Sequence, residues 1–501
     1  MGVGVTLGEL VAGAAGRTAI TDPHGARRLS YAQLDGVAER IGRRLAGASV
    51  SPGDTVALVA GNGPDLVSTF LGVLRAGAAV APLNPAYTRQ ELERYLDDLR
   101  PAAMLTIGDV GAAAGEAARA AGVPMWSVAG PAPEAIDVGA PGRPAAALPA
   151  PDPDAAALVL HTSGTTGRPK GVYLRHRNLA ASVQTIADSY ALGEEDVSYC
   201  VMPLFHIHGL VASTFAALAR GGTVVIPSRF SASAFWADVA RRRVTWFSAV
   251  PTIHRTLLLR ADEATEDAAH TLRFARSSSS TLAPTLWRGF ENRFGVPLVE
   301  AYGMTEASHQ MASNPLPPRD RRPGTVGIAT GIELAVLDDE WRPLGAGAPG
   351  EVAVRGASVV DEYRGNPEAT AAAFRDGWFR TGDRGVLGDD GYLSLHGRIK
   401  ELINRGGEKI SPHEVEDALL SHPGVREAVA FAVSDEKYGE EVAALVVPAG
   451  ADQRDASGLQ AHCAERLATF KVPKRIEFVD AIPKGPTGKV QRNQMAELIA
   501  T

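Results

Sequence analysis

The stretch Leu160-His161-Thr162-Ser163-Gly164-Thr165-Thr166-Gly167-Arg168-Pro169-Lys170-Gly171 limits the folds open to this chain more than any other. Ahead of it Ala155 to Leu160 is short and apolar and reads as a buried strand. After it Val172-Tyr173-Leu174 resumes the apolar character. A loop rich in hydroxyls and glycine therefore leaves the end of a strand. Glycines let backbone N–H groups close on an anion, and the hydroxyls of Thr162, Ser163, Thr165 and Thr166 add donors. Lys170 adds a mobile positive charge suited to phosphate. The stretch reads as a polyphosphate cradle, although glycine and hydroxyls alone would also make an ordinary surface loop. It is not the NTPase P-loop, because that needs G-x-x-x-x-G-K-[ST] and here Lys170 follows Gly167 by three and precedes Gly171.

A cradle at a strand end needs a sheet behind it, and the flanking sequence supplies one. Tyr31 to Leu45 has helical spacing, with Leu34, Val37, Ile41 and Leu45 on one side. Thr55 to Ala60 is a buried strand, Leu66 to Ala76 a helix ended by Gly77, and Ala79 to Leu83 the next strand. This βαβ rhythm favours parallel sheets covered on both faces. Ala112 to Ala121 is helical, and the Pro/Ala-rich residues 131–154 read as a surface connection. The rhythm returns over residues 172–300, with strands at 224–226 and 245–250 and a helix opened by Pro251. Between 335 and 395 short β segments and Gly/Pro turns predict a small β subdomain. Beyond Gly397 a helix (412–421), two strands (428–433, 442–448) and a helix (456–468) suggest a separate α+β domain. The expected division is 1–397 and 398–501, with a hinge near Lys400.

With 501 residues the chain is long enough for this division, and 45% hydrophobic content supports packed cores. Its net charge is −7, so no nucleic-acid footprint appears, and any anionic ligand must be drawn by local positive groups. Cys200 and Cys463 form neither a metal spacing nor a disulfide framework, which fits a reducing cytoplasm. The N-terminus lacks the basic segment of a signal peptide, the C-terminus is no peroxisomal address, and no apolar run is long enough to span a bilayer. Oligomeric state is not legible.

Three further constellations accompany the loop. Ala301-Tyr302-Gly303-Met304-Thr305-Glu306 follows a short strand and offers a hydroxyl and a carboxylate beside a glycine. Trp378-Phe379-Arg380-Thr381-Gly382-Asp383 places an aspartate after a turn, and Pro483 to Lys489 ends in Gly-Lys near the C-terminus. Each alone is an ordinary turn. Together, in this order, they resemble the motifs of the adenylate-forming superfamily: acyl-CoA synthetases, firefly luciferase and the adenylation domains of peptide synthetases.

The resemblance implies a fold: α/β, with a large N-terminal domain of parallel-type sheets covered by helices, a small β subdomain, and a mobile α+β C-terminal domain. It also implies roles. Ser278, Glu300, Ala301, Tyr302 and Gly303 would border AMP, with Tyr302 against adenine, alongside the loop residues Thr162 to Thr166 (Gly164 among them) and Lys170. Thr305 would touch the α-phosphate, and Glu306 with Thr166 would hold Mg²⁺. Asp383 and Arg398 would take the ribose. Lys489 would bridge the acyl carboxylate and the α-phosphate, where a cation stabilises the charge of in-line attack. Lys400 would be the pivot of a domain swing between two half-reactions, and Gly406-Gly407 would flank the CoA tunnel. The implied substrates are ATP, CoA and a carboxylic acid.

Other stretches speak to the acid. In Pro203 to Gly209 the family likeness places His206 beside the acyl site, with His208 a further donor. Arg276-Ser277-Ser278-Ser279-Ser280-Thr281 carries hydroxyls where many relatives are glycine-rich, and His309 stands where relatives with large acyl groups keep small or apolar residues. A short pocket rich in donors suits a small dicarboxylate, because a buried unpaired carboxylate is costly. These stretches resemble oxalyl-CoA synthetases of plants and fungi, which implies oxalate, with Ser280, His208 and His309 as contacts and Arg276 as either a contact or a brace for its strand. Malonate or another short acid, an acyl-AMP ligase loading a carrier protein, and a nucleotide-binding protein without chemistry are the alternatives.

Overall fold

Where short apolar runs alternate with helical spacing, the computed structural model forms sheets whose central strands run parallel. It describes residues 5–150, 152–162, 170–450, 453–484, 490, 492 and 495–499, with the backbone alone at 162, 170, 266–268 and 497. The cradle residues Ser163, Gly164, Thr165 and Thr166 and the C-terminal Lys489 lie outside the described residues, as do the side chains of Thr162 and Lys170.

The N-terminal region holds two large sheets. The seven-stranded one has Thr55–Ala60 and Ala79–Leu83 at its centre and ends in the antiparallel pair Ala156–Thr162 and Lys170–Arg175, so the cradle segment leaves and re-enters the sheet at adjacent strands. The nine-stranded sheet sets Trp246–Ala249, Phe274–Ser277 and Leu298–Met304 side by side and parallel, then turns antiparallel at His309–Ser313. Helix Tyr31–Gly47 begins in a capping box, where Ser30 accepts from Gln33 N–H and Gln33 reaches back, and it buries Leu34, Val37, Ile41 and Leu45 as its spacing requires. Pro64 and Pro251 each sit in the first turn of a helix, where their missing N–H costs nothing.

One expected surface connection is partly inside. Within 131–154, Asp137–Val138 pairs with Met125–Ala129, and Ile136, Val138 and Ala140 are buried. Arg40 fixes this segment by donating to the Ile136 carbonyl at 2.7 Å. Alanine and proline dominate its composition and hide the few apolar anchors.

The β subdomain is a five-stranded sheet in which Trp378–Leu387 pairs with both Pro349–Arg355 and Leu393–Arg398. Arg398 closes the last of these strands, and a 3₁₀ turn, Ile399–Glu401, leads to a new sheet beginning at Ile403. That sheet, built on the long hairpin Val425–Asp435 and Gly439–Pro448, has its own apolar core around Ile403, Val415, Leu419 and Val442. Among the described residues no helix is long and apolar enough to cross a membrane. Cys200 and Cys463 are buried free thiols.

Candidate active site

Residues from distant parts of the sequence converge where the nine-stranded sheet meets the β subdomain. Asp383 and Arg398 are directly opposite one another on neighbouring strands, and Arg398 Nε lies 2.9 Å from Asp383 Oδ1. The other carboxylate oxygen accepts from the Tyr302 hydroxyl, carried on Leu298–Met304. Burial and the neighbouring Asp383 charge push the Tyr302 phenol well above its ordinary value, so it stays a donor. Ser278 Oγ donates to the Ala301 carbonyl at 2.8 Å and fixes the turn after Phe274–Ser277 to the strand that carries Tyr302. Glu300 is buried one register step away, where its carboxyl accepts from Leu282 N–H at 2.9 Å. Burial raises it to about 8 against the pull of that hydrogen bond, so it holds a proton at neutral pH.

Glu306 lies in the 3₁₀ turn Thr305–Ala307, is buried, and accepts from the Tyr363 hydroxyl at 3.0 Å. Nothing in the local sequence pairs residue 363 with 306; the β subdomain brings it there. Among the described residues no group of three or more His, Cys, Asp or Glu side chains could hold a metal. One oriented carboxylate nevertheless fits Mg²⁺, which keeps several waters and takes its remaining ligands from phosphate.

A second cluster adjoins the first and is organised differently. Parallel register sets Ser248 beside Arg276, and the Arg276 side chain is fully buried. Its Nε donates to the Tyr190 hydroxyl at 2.9 Å, Nη1 to Ser248 Oγ at 2.9 Å, and Nη2 to Gln310 Oε1 at 3.1 Å. Nη2 also lies 3.1 Å from His309 Nε2. Among the described residues this guanidinium has no carboxylate in ion-pair contact. Because a guanidinium N–H only donates, His309 Nε2 must carry a lone pair, which leaves Nδ1–H as that ring's donor. His208 stacks on His309 with centroids 5.2 Å apart, and its two nitrogens lie 2.6 Å from Ser248 Oγ and 2.9 Å from Ser279 Oγ. His206, half-buried, accepts at Nδ1 from His208 N–H at 3.3 Å.

The backbone pays for this arrangement. Ser308 and His309 have φ of +55° and +107°, each a conformation costing roughly 1–3 kcal/mol for a residue other than glycine. Two hydroxyl bonds hold the bend: Ser182 Oγ to the Ser308 carbonyl and Ser308 Oγ to the Ser358 carbonyl, both 2.7 Å. Gly303 admits it, since a Cβ there would lie 1.9 Å from the His309 carbonyl oxygen.

The structure thus brings together His206, His208, Arg276 and His309, and separately Ser278, Glu300, Ala301, Tyr302, Asp383 and Arg398. Thr305 and Glu306 sit at the end of the strand joining the two groups. Ser280 is exposed, and its neighbour Ser279, at φ +74°, holds His208 instead. Tyr190, Ser248, Ser279, Gln310 and Tyr363 were not anticipated. Gly406 and Gly407 form the turn between Ile403–Arg405 and Glu408–Ile410 at positive φ, with Gly406 N–H donating to the Tyr438 carbonyl at 2.9 Å. Lys400 stands in the connecting 3₁₀ turn.

Comparison with known proteins agrees with this geometry. Residues 9–364 match the model of the AMP-binding enzyme family, and 414–489 match that of the AMP-binding enzyme C-terminal domain. The chain is 45% identical over 485 residues to the oxalate–CoA ligase of Arabidopsis thaliana, covering 94% of this chain and 93% of that protein. It is 42% identical over 476 residues to the sulfoacetate–CoA ligase of Cupriavidus necator, with coverage of 94% and 93%. The crystal structure of ATP-bound MatB from Rhodopseudomonas palustris superposes with a TM-score of 0.89 at 30% identity over 98% of both chains, and the apo form of the same protein with 0.78 at 31% identity over the same share. The chain belongs to the AMP-binding, adenylate-forming enzyme family.

Proposed function

We propose that this protein is an ATP-dependent acid–CoA ligase that converts oxalate to oxalyl-CoA with release of AMP and pyrophosphate. The observation that carries the choice of acid is Arg276: a fully buried guanidinium whose described partners are all neutral. A buried cation is expensive unless an anion joins it. A long or aromatic acid brings one carboxylate, which the reaction consumes at phosphorus. A small dianion brings a second, and Arg276, with His309 against it and His208 stacked on that ring, offers such a group a counter-charge. The acids for which the two relatives are named support this reading, since oxalate and sulfoacetate each carry a second anionic group.

In the first half-reaction a carboxylate oxygen attacks the α-phosphorus of ATP and pyrophosphate leaves. Asp383 and Arg398 hold the ribose, Tyr302 lies against adenine, and Thr305 meets the α-phosphate. Mg²⁺ on Glu306 would neutralise phosphate charge. Lys489 supplies the cation at the reacting phosphorus. Then the CoA thiol attacks the acyl carbon and AMP leaves, with Gly406 and Gly407 giving the thin thiol arm passage. The domain boundary we assign is 397/398 with the pivot at Lys400. The better superposition on the ATP-bound than on the apo form of one neighbour supports a nucleotide-ready arrangement of the two domains. Two buried thiols fit a cytoplasmic setting.

CoA-dependent AMP release with oxalate, malonate, sulfoacetate, acetate, octanoate and coumarate tests the proposal. Oxalate is expected to lead. Preference for octanoate or coumarate would end the short-pocket reading, and transfer to a carrier protein without free-CoA turnover would end the CoA reading. Sulfoacetate is the second reading that the same arginine favours, because a sulfonate would meet it equally well.

A further inference from the structure

The described residues closest in sequence to Lys489 are fastened to carboxylates of the small C-terminal sheet, of its helix and of the connecting turn. Val490 bridges antiparallel to Lys484, which ion-pairs with Glu427 on Val425–Asp435. Two residues further on, the Arg492 side chain is only 10% exposed. Its Nε lies 3.0 Å from Glu401 Oε2, and its Nη1 binds both Glu416 Oε1 and the Ala430 carbonyl. Glu416 is the hub. Its Oε1 also accepts from Ala430 N–H at 2.9 Å, and its Oε2 lies 3.0 Å from His413 Nδ1. Burial alone would raise the Glu416 carboxyl, but Arg492 and His413 overrule it and bring it down to about 2, so it is always charged.

Each flank of the connecting turn touches a partner of this hub: Glu401 meets Arg492 and Gly397 meets His413. Glu401 is the residue after Lys400. On the other side Gly397, at φ +105°, packs so closely on His413 that a Cβ there would be 3.2 Å from the ring. The Glu401 side chain is 43% exposed, and an exposed ion pair contributes only about 0–1 kcal/mol to stability. The Glu401–Arg492 bond is therefore a weak fastening for the fold. As a geometric link it joins the hinge to the segment holding Lys489.

We propose that Arg492 is a positioning residue: through Glu401 and Glu416 it couples the segment that carries Lys489 to the turn at Lys400, so that the two move as one piece when the small domain swings. This rests on the reading of Lys489 as the cation of the adenylation step. Arg492 touches no reacting atom, and its effect should fall on the half-reaction that uses Lys489 and spare the other.

The test measures both half-reactions in the full-length enzyme: oxalate-dependent ATP–pyrophosphate exchange, and thioester formation from supplied oxalyl-adenylate and CoA. For Glu401→Ala and Arg492→Lys we expect exchange to fall about tenfold or more through kcat, with KM for ATP and oxalate unchanged and thioester formation within about twofold. Glu401→Gln, which keeps a neutral acceptor for Arg492, should recover most of the loss. Glu401 is exposed enough for its variants to fold even if Arg492→Lys does not. Unchanged exchange in Glu401→Ala, or an equal fall in both half-reactions, overturns the coupling. Lys489→Ala separates the two failures. If it abolishes exchange while Glu401→Ala does not, only the coupling is wrong; if it leaves exchange intact, the reading of Lys489 is wrong too.

Discussion

The two halves of the site solve the problem of buried charge in opposite ways. On the nucleotide side the carboxylate of Asp383 is matched within the protein, by Arg398 on one oxygen and Tyr302 on the other. On the proposed acyl side Tyr190, Ser248, His309 and Gln310 surround the Arg276 cation and take its hydrogen bonds, and no described carboxylate is in ion-pair contact with it. The first arrangement is complete within the protein, and on the proposed reading a ribose would displace or join its existing hydrogen bonds. Among the described residues the second lacks a counter-charge, which the proposed dianionic acid would supply. On the proposed reading the first group holds the nucleotide and the second selects the acid.

The largest expected effect breaks the acyl side. Arg276→Gln keeps several hydrogen bonds and removes the charge, so kcat/KM for oxalate should fall about a hundredfold, roughly 2.7 kcal/mol, with KM for ATP nearly unchanged. Equal losses for both substrates in steady-state kinetics would show that Arg276 only braces its strand. His309→Ala should likewise raise KM for oxalate far more than for ATP. The mirror experiment is Asp383→Asn, for which KM for ATP should rise about tenfold while the preference among acids stays the same. A change in acid preference would mean that the two halves are not separable.

A smaller effect concerns Glu300. Its folded value of about 8 lies above the ordinary 4.5, so the folded chain holds a proton that the unfolded chain releases. That contribution to stability is full below pH 4.5 and is lost as pH rises to about 8. Melting temperature should fall more steeply over that window in the wild type than in Glu300→Gln, and parallel curves would contradict the burial argument. The smallest effect separates two neighbours: Ser280→Ala should change activity by less than about twofold, Ser279→Ala by about fivefold, as oxalate titrations would show.

The grouping of Tyr302, Asp383 and Arg398 was foreshadowed by the family likeness, because these residues come in contiguous motifs, each on one strand and its following turn. The structure brings Tyr302, Asp383 and Arg398 into contact, while their roles toward a nucleotide, and that of Glu306, rest on the resemblance. The acyl half depends on strand register. Ser248 meets Arg276 only because two parallel strands pair in one alignment, and Tyr190 and Gln310 arrive from other elements. Periodicity carries no signal for such pairings. The choice between Ser279 and Ser280 turned on one positive φ, which a run of serines conceals.

The bend at Ser308 and His309 bears on how such an enzyme could acquire a new acid. A residue at φ +107° is intolerant of branching at Cβ, so a library randomised at 309 should return mainly histidine, asparagine, aspartate and glycine. Position 208, in helical backbone, carries no such filter. Laboratory evolution toward greasier acids would then begin at 208 and reach 309 only after the neighbouring hairpin had relaxed.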